Sequence, residues 1–307
     1  MHYSTKVKVA DIIFSITSRF PRVFKSDKDF YLRKYGNFFG NHQGRADIKL
    51  EVHVVEKFPV LKGREIFAVY EGQETEERWR LFDYGNRYIY YTPMADREAL
   101  AYISRDFTHA DVYVLPHQEQ MVWDMRDVIY DCMQVILINY FALNKNGLIL
   151  HAAAIKDGNK GLVFAGRSGS GKSTSARLWH KYTKAAVLND DRVIVRRIGR
   201  QFYVYSGPWH GEFGNGVVAY PRKAPLKGLF FIEHAEKNFV CKLDHAQAFR
   251  ELYPSVFSVF WNRRLMLNVV VVCETLLSAI AARRLGFVKN KSVIAFVRTL
   301  SDETNQL

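Results

Sequence analysis

Short apolar runs with alternating polar positions dominate the first 120 residues. KVKVADIIFSI, ADIKLEVHVVE, REIFAVYEG, RWRLFDYGNRYIYYT and ADVYVLP are short apolar or aromatic runs, so the region reads as strand-rich. Clusters of turn-forming residues such as GNFFGNHQGRAD and DYGN separate them. The aromatic positions among them, Trp79, Tyr84, Tyr88, Tyr90 and Tyr91, fit sheet packing better than a ligand cage. The period then changes. In DMRDVIYDCMQVILINYFALNK, Val128, Cys132, Val135, Ile136 and Ile138 form an apolar stripe at helical spacing. A domain boundary is therefore expected near this helix, with a strand-rich N-terminal domain over 1–120 and a second domain over 121–307.

The second domain mixes element types. GLILHAAAI (147–155) and GLVFA (161–165) read as two strands joined by a KDGNK turn. A helix follows in SGKSTSARLWHKY, then a short strand AAVL. RVIVRRI and FYVYSG form a second hairpin through GRQ, and helices are expected over 244–256 and 263–285. This order predicts an α/β protein with a mixed sheet. The most apolar stretch, 265–282, contains Asn268 and Glu274 and is flanked by arginine pairs, so a buried helix is expected rather than a membrane span. Charges interleaved with apolar residues from Lys6 to Arg22 do not form a secretory signal.

Composition narrows the partners. The 307 residues are 48% hydrophobic and 24% charged, which suits a packed chain of one large or two modest domains. The net charge of +13 favours acidic partners, while the lack of a long Lys/Arg run argues against a nucleic-acid arm. Three scattered cysteines, Cys132, Cys241 and Cys273, form neither a disulfide framework nor a metal pair, so a reducing cytoplasm is the expected location. Nothing in the composition opposes a homo-oligomer.

Chemistry concentrates after the first hairpin. Gly166, Arg167, Ser168, Gly169, Ser170, Gly171, Lys172 and Ser173 match GxxxxGK[ST], with Thr174 next. A strand enters this segment and a helix leaves it. Glycines let backbone N–H groups curl around an anion, and the helix presents its N-terminus to it. Lys172 is expected to reach the terminal phosphates of ATP or another nucleoside di- or triphosphate, and Ser173 to ligate Mg²⁺.

Asp190 and Asp191 come one helix and one strand later, in an Asn-Asp-Asp turn. Two carboxylates beside phosphates suit a divided task, one holding Mg²⁺ and the other acting as general base. A hairpin centred on Gly158 would set His151 opposite Ala165, at the mouth of the loop. In SGPWHGEFGN (206–215), His210 and Glu212 are candidates for phosphate, Mg²⁺ or acceptor contacts.

LHAAAI, GRSGSGKST and NDD together resemble the HPr serine kinase/phosphorylases, which share a fold with ATP-dependent phosphoenolpyruvate carboxykinase. The chain is similar in particular to HPr kinase-like proteins of peptide-modification cassettes, including lasso-peptide kinases. The likeness spans about 145–240. It implies phosphoryl transfer from a nucleotide to a hydroxyl, of a serine in a protein, a peptide or a small molecule. It also implies that Lys172 and Ser173 handle phosphate and Mg²⁺, that Asp190 or Asp191 is the base, and that His151 lies near the transferred group. That family carries an acidic residue directly after the loop serine, where this chain has Thr174. That departure, with no later signature for the phosphorylase reaction, weakens the case for phosphorolysis and for HPr as substrate. The rival expectations are a hydrolase with water as acceptor and a nucleotide-binding scaffold without turnover.

Overall fold

Packing divides the chain into two units, Met1–Leu143 with Val259–Met266, and Asn144–Ser258 with Leu267–Leu307. The structure is a computed structural model that describes residues 2–23, 36–40, 42–71, 76–94, 97–116, 121–125, 127–209, 211 and 222–303. It is a strand-rich α/β protein with mixed sheets.

The first unit contains β1 (Tyr3–Val9), β2 (Ile12–Ser18), β3 (Arg22–Val23), β4 (Ile48–Val54), β5 (Arg64–Glu71), β6 (Glu76–Tyr84), β7 (Arg87–Met94), β8 (Arg97–Ser104), β9 (His109–Val114) and β10 (Trp123–Asp124). Eight of them form one sheet in the order β1-β2-β4-β9-β8-β7-β6-β5. The pairs β2–β4 and β4–β9 are parallel and the others antiparallel. KVKVADIIFSI forms a hairpin, turning at Ala10 and Asp11 with φ of 51° and 60°. Positive φ at both central residues is the tight hairpin geometry that glycine or asparagine usually signals, and neither residue is present.

The helix expected to open the second domain packs instead on β8 and β9 of the first unit. It begins as wide π turns over Asp127–Met133 and continues as an α-helix over Gln134–Asn144. Val128, Ile129, Cys132, Met133 and Ile136 are fully buried. Trp79 stacks among Phe67, Tyr90 and Trp261 at ring separations of 5.3, 5.6 and 5.6 Å. These rings pack the Val259–Met266 segment into the first unit, in keeping with their reading as sheet residues.

The second unit contains β11 (Gly147–Asp157), β12 (Lys160–Ala165), β13 (Ala186–Asn189), β14 (Arg192–Ile198), β15 (Gln201–Tyr205), β16 (Lys223–His234), β17 (Phe239–Lys242) and β18 (Ala282–Phe287). β11 and β16 are long enough to change neighbours along their length. Residues 147–151 of β11 pair with β14, and residues 152–157 pair with β12. β16 pairs first with β15, then with β12 and β18. The hydrogen-bonded path β11–β14–β15–β16–β12 therefore closes on itself.

The helix expected over 263–285 is shorter. It runs over Arg263–Ala279, and Ala282–Phe287 form β18, parallel to β16. Leu285 and Phe287 are buried there, so a place in the sheet overrides the helical periodicity. The expected helix over 244–256 is His245–Leu252 followed by a 3₁₀ turn at Tyr253–Ser255. A capping box starts it: Asp244 accepts from Gln247 N, while the Gln247 side chain accepts from Asp244 N. Among the described residues no helix is long and apolar enough to cross a membrane.

The helix Lys172–Tyr182 lies over β11, β12 and β13. Ala152, Ala153 and Ala154 keep this part of the strand low beneath it, and all three are fully buried. The core joins Phe164, Trp179, Phe230, Ile232, Leu285 and Phe287 to Val293 and Val297 of the last helix, Ser292–Glu303. Phe164 sits at its centre, 5.1 Å from the Trp179 ring and 5.6 Å from that of Phe230. Phe164→Ala should therefore destabilise the chain by about 3–5 kcal/mol, read as a lower urea midpoint at unchanged slope.

Candidate functional site

β12 delivers the chain to the glycine-rich loop. Ala165 ends the strand in register with Ala152 of β11 and Phe231 of β16. The loop then tightens through Ser170 N donating to Arg167 O at 3.1 Å. Gly171 precedes the helix Lys172–Tyr182 with φ of 101°. A Cβ there would lie 2.7 Å from Phe287 Cζ and 2.8 Å from His234 Cε1, so both backbone shape and space require glycine. His234 Nε2 also contacts Gly169 O at 3.1 Å. The loop is thus braced from β16 and β18.

Lys172 is buried at 7% exposure, and its Nζ donates to Gly166 O at 3.0 Å and to Arg167 O at 3.1 Å. Burial pulls its pKa down, and the nearby Asp191 carboxylate opposes that shift. Ser168 and Gly169 are exposed at the loop tip, whereas Gly166, Ser170, Gly171, Ser173 and Thr174 are half-buried. The N–H groups of the first helical turn have no carbonyl partner within the helix and lie where an anion can take them up.

The Asn-Asp-Asp turn comes in from β13. Asn189 is fully buried. Its Oδ1 accepts from Asp191 N and Arg192 N, both at 2.9 Å, and its Nδ2 donates to Trp209 O at 2.6 Å. This side chain shapes the turn. The two aspartates then part company. Asp190 is buried, and its Oδ1 accepts from Gly211 N at 2.9 Å. A Cβ on Gly211 would come within 2.8 Å of Asp190 Oδ2, so Gly211 lies tight against this carboxylate. Asp191 is more open. Its Oδ2 pairs with Arg192, whose guanidinium lies 5.3 Å over the Phe257 ring. Its Oδ1 lies 3.6 Å from His151 Nε2.

The register of the first hairpin differs from the expected one. Asp157 pairs with Lys160 around a two-residue turn, Gly158–Asn159, with Gly158 at φ 59°. Two-residue turns with positive φ match strand twist, so the partner of Ala165 is Ala152, not His151. His151 lies one position past that ladder, opposite Arg192 of β14. It is still at the loop. In Gly147–Ile155 it is the one exposed residue, where its neighbours are buried on both faces. Burial of its ring lowers its pKa first, then the Lys172 charge; Asp191 opposes the shift and Arg192 adds to it.

Lys172, Asp191 and His151 thus meet at one place, while Asp190 is turned toward Gly211. His210 and Glu212 lie outside the described residues. The sequence reading did not single out His234, Asn189 or Arg192. The only signal for Asn189 was its place just before the aspartate pair, a common turn position. His234 is distant in sequence and had none.

Loop, buried lysine and carboxylate turn are set on a mixed sheet in a strand-rich α/β protein. The family model for SynChlorMet cassette protein ScmC matches residues 117–284, more than half of the chain, and the chain belongs to that family. The matched span takes in His151, the loop and both aspartates. No curated protein matches the chain.

His151 should titrate below the ordinary imidazole value, as read from its ring proton shifts by NMR. A pKa lower in the folded than in the unfolded chain means that protonation favours unfolding. The stability that His151 contributes should be present above the unfolded value and lost as pH falls. A midpoint above the ordinary value would show that Asp191, not burial and Lys172, governs the ring.

Proposed function

We propose that this chain is a nucleotide-dependent phosphotransferase of the HPr kinase-like kind, moving a phosphoryl group to a hydroxyl of a protein, peptide or small molecule. The observation that carries this reading is the meeting of Lys172, Asp191 and His151 beside the Gly166–Ser173 loop. A loop that binds phosphate needs close backbone approach, and the crowding around Gly171 fits that need. ATP with Mg²⁺, held by the loop glycines, Lys172, Ser173 and a carboxylate of the Asn-Asp-Asp turn, would supply the phosphoryl group and offset its charge.

The chain's own residues account for the rest. Lys172 Nζ exchanges its two loop carbonyls for phosphate oxygens. Asp191 Oδ1 takes the proton of the acceptor hydroxyl, since Oδ2 is already held by Arg192. The hydroxyl oxygen then bonds to phosphorus as the bond to the departing nucleoside diphosphate breaks. His151 stays neutral at neutral pH and so leaves Asp191 Oδ1 without a competing cation. Asn189 holds Trp209 and Asp190 holds Gly211 in place.

Transfer of label from γ-labelled ATP to a serine-containing peptide or to free serine tests this reading. Lys172→Ala should weaken ATP binding by about tenfold to a hundredfold, the worth of one to two charge-assisted hydrogen bonds. Asp191→Asn should keep ATP binding and lose about 10²–10⁴-fold in transfer. ATP turnover that ignores every acceptor would establish a hydrolase instead, and binding without turnover a scaffold. With the wild-type chain the rate should fall in acid as His151 charges, and His151→Gln should remove that limb of the pH profile.

A further inference from the structure

A second concentration of chemistry lies in the first unit, on the outer face of its sheet. β4 alternates strictly: Ile48, Leu50, Val52 and Val54 are buried, while Lys49, Glu51 and His53 point to the other face. β9 does the same with Asp111 and Tyr113. The two strands are parallel neighbours, with Glu51 beside Asp111 and His53 beside Tyr113. Two carboxylates side by side across a sheet repel each other, an arrangement that calls for a cation. Arg87 Nη1 takes up one oxygen, Asp111 Oδ2, at 2.5 Å. Asp111 Oδ1 and the Glu51 carboxylate remain, and no ion pair of Glu51 occurs among the described residues.

The imidazole distinguishes this group from a patch of acidic residues. Ligand atoms of Glu51, His53 and Asp111 all lie within 4.8 Å of one another. His53 Nε2 and Asp111 Oδ1 are 3.4 Å apart. That is long for a hydrogen bond but equals the separation of about 3.4 Å between two ligand atoms on a tetrahedral ion with bonds of about 2.1 Å. The His53 ring is held by stacking on Tyr113 at 4.8 Å between centroids and 24° between planes. Arg87 fixes the Asp111 carboxylate from its far oxygen, as outer partners of metal ligands commonly do. Glu51 and Asp111 also line a cavity of about 490 Å³, with Lys49, Arg87, Tyr102 and His109 around it.

We propose that Glu51, His53 and Asp111 bind a divalent transition-metal ion, with Zn²⁺ the best fit to three N/O ligands. Its remaining coordination position is left to water or to a ligand in the cavity. Two carboxylates and a neutral imidazole balance the charge of a divalent ion. One nitrogen among the ligands favours a transition metal over Mg²⁺ or Ca²⁺, which take oxygen. This site is separate from the glycine-rich loop and does not depend on the phosphotransferase reading.

Equilibrium dialysis of the untagged full chain against Zn²⁺, without nucleotide, tests the proposal. His53→Gln and Glu51→Gln should each lose one equivalent of zinc, or weaken it at least tenfold. His245→Gln should not, although His245 pairs with Glu274 elsewhere on the surface. Both substituted residues lie on the outer face of the sheet, so far-UV circular dichroism should stay that of the wild type. With Co²⁺ as probe, the wild type should show the strong visible absorption of a tetrahedral site and His53→Gln should not. Zinc binding unchanged in both variants, or no bound equivalent at micromolar Zn²⁺ in the wild type, would overturn the assignment.

Discussion

A backbone hydrogen bond from Ala152 N to Asp191 O, at 3.1 Å, sits where β11 changes partners. Before it the strand pairs with β14, and after it with β12 and β13. One strand therefore holds both the chain that leads into the glycine-rich loop and the turn that carries the aspartates. Were β11 to end at either half, the strand leading into the glycine-rich loop and the pair His151–Asp191 would belong to separate pieces of sheet. Because it does not, Lys172 is close enough to bias both His151 and Asp191, whose side chains stand 3.6 Å apart. The three buried alanines are part of the same arrangement, because larger side chains would lift the helix that begins at Lys172.

The adjacent aspartates illustrate how little sequence adjacency says about role. Asn189 caps two successive N–H groups and so forces a sharp turn. Consecutive side chains then diverge, Asp190 into a buried contact with Gly211 and Asp191 toward His151 and Arg192. In the phosphotransferase reading Asp191 is the candidate base, since its Oδ1 lies 3.6 Å from the imidazole. The imidazole is kept neutral by burial and by Lys172 more than it is charged by Asp191. Asp191 is therefore paired with the Arg192 cation and faces a neutral imidazole.

Much of the strand pattern was legible, because alternation follows directly from the two faces of a sheet. The Ala10–Asp11 turn was not, since it has the dihedral angles of a glycine turn without the glycine. The misreadings have local physical causes. The hairpin register at Gly158 turned on whether the loop held two residues or three, and a one-residue change moves every partner. Ala282–Phe287 continued a helical pattern, yet β16 offered a parallel edge and the core offered room for Leu285 and Phe287.

The sequence by itself determined the local chemistry: a glycine-rich loop between strand and helix, a lysine at the first helical position, and an acidic turn after the next strand. These are set by residue type and short spacing, which the backbone must obey wherever it goes. Tertiary structure alone decided which groups meet. His234 braces Gly169 across 65 positions, His151 meets Asp191 across 40, and Glu51 finds Asp111 through a strand pairing 60 residues away. Each of these depends on strand order and register, which arise from burying apolar faces together and leave no mark in the spacing of the polar residues they unite.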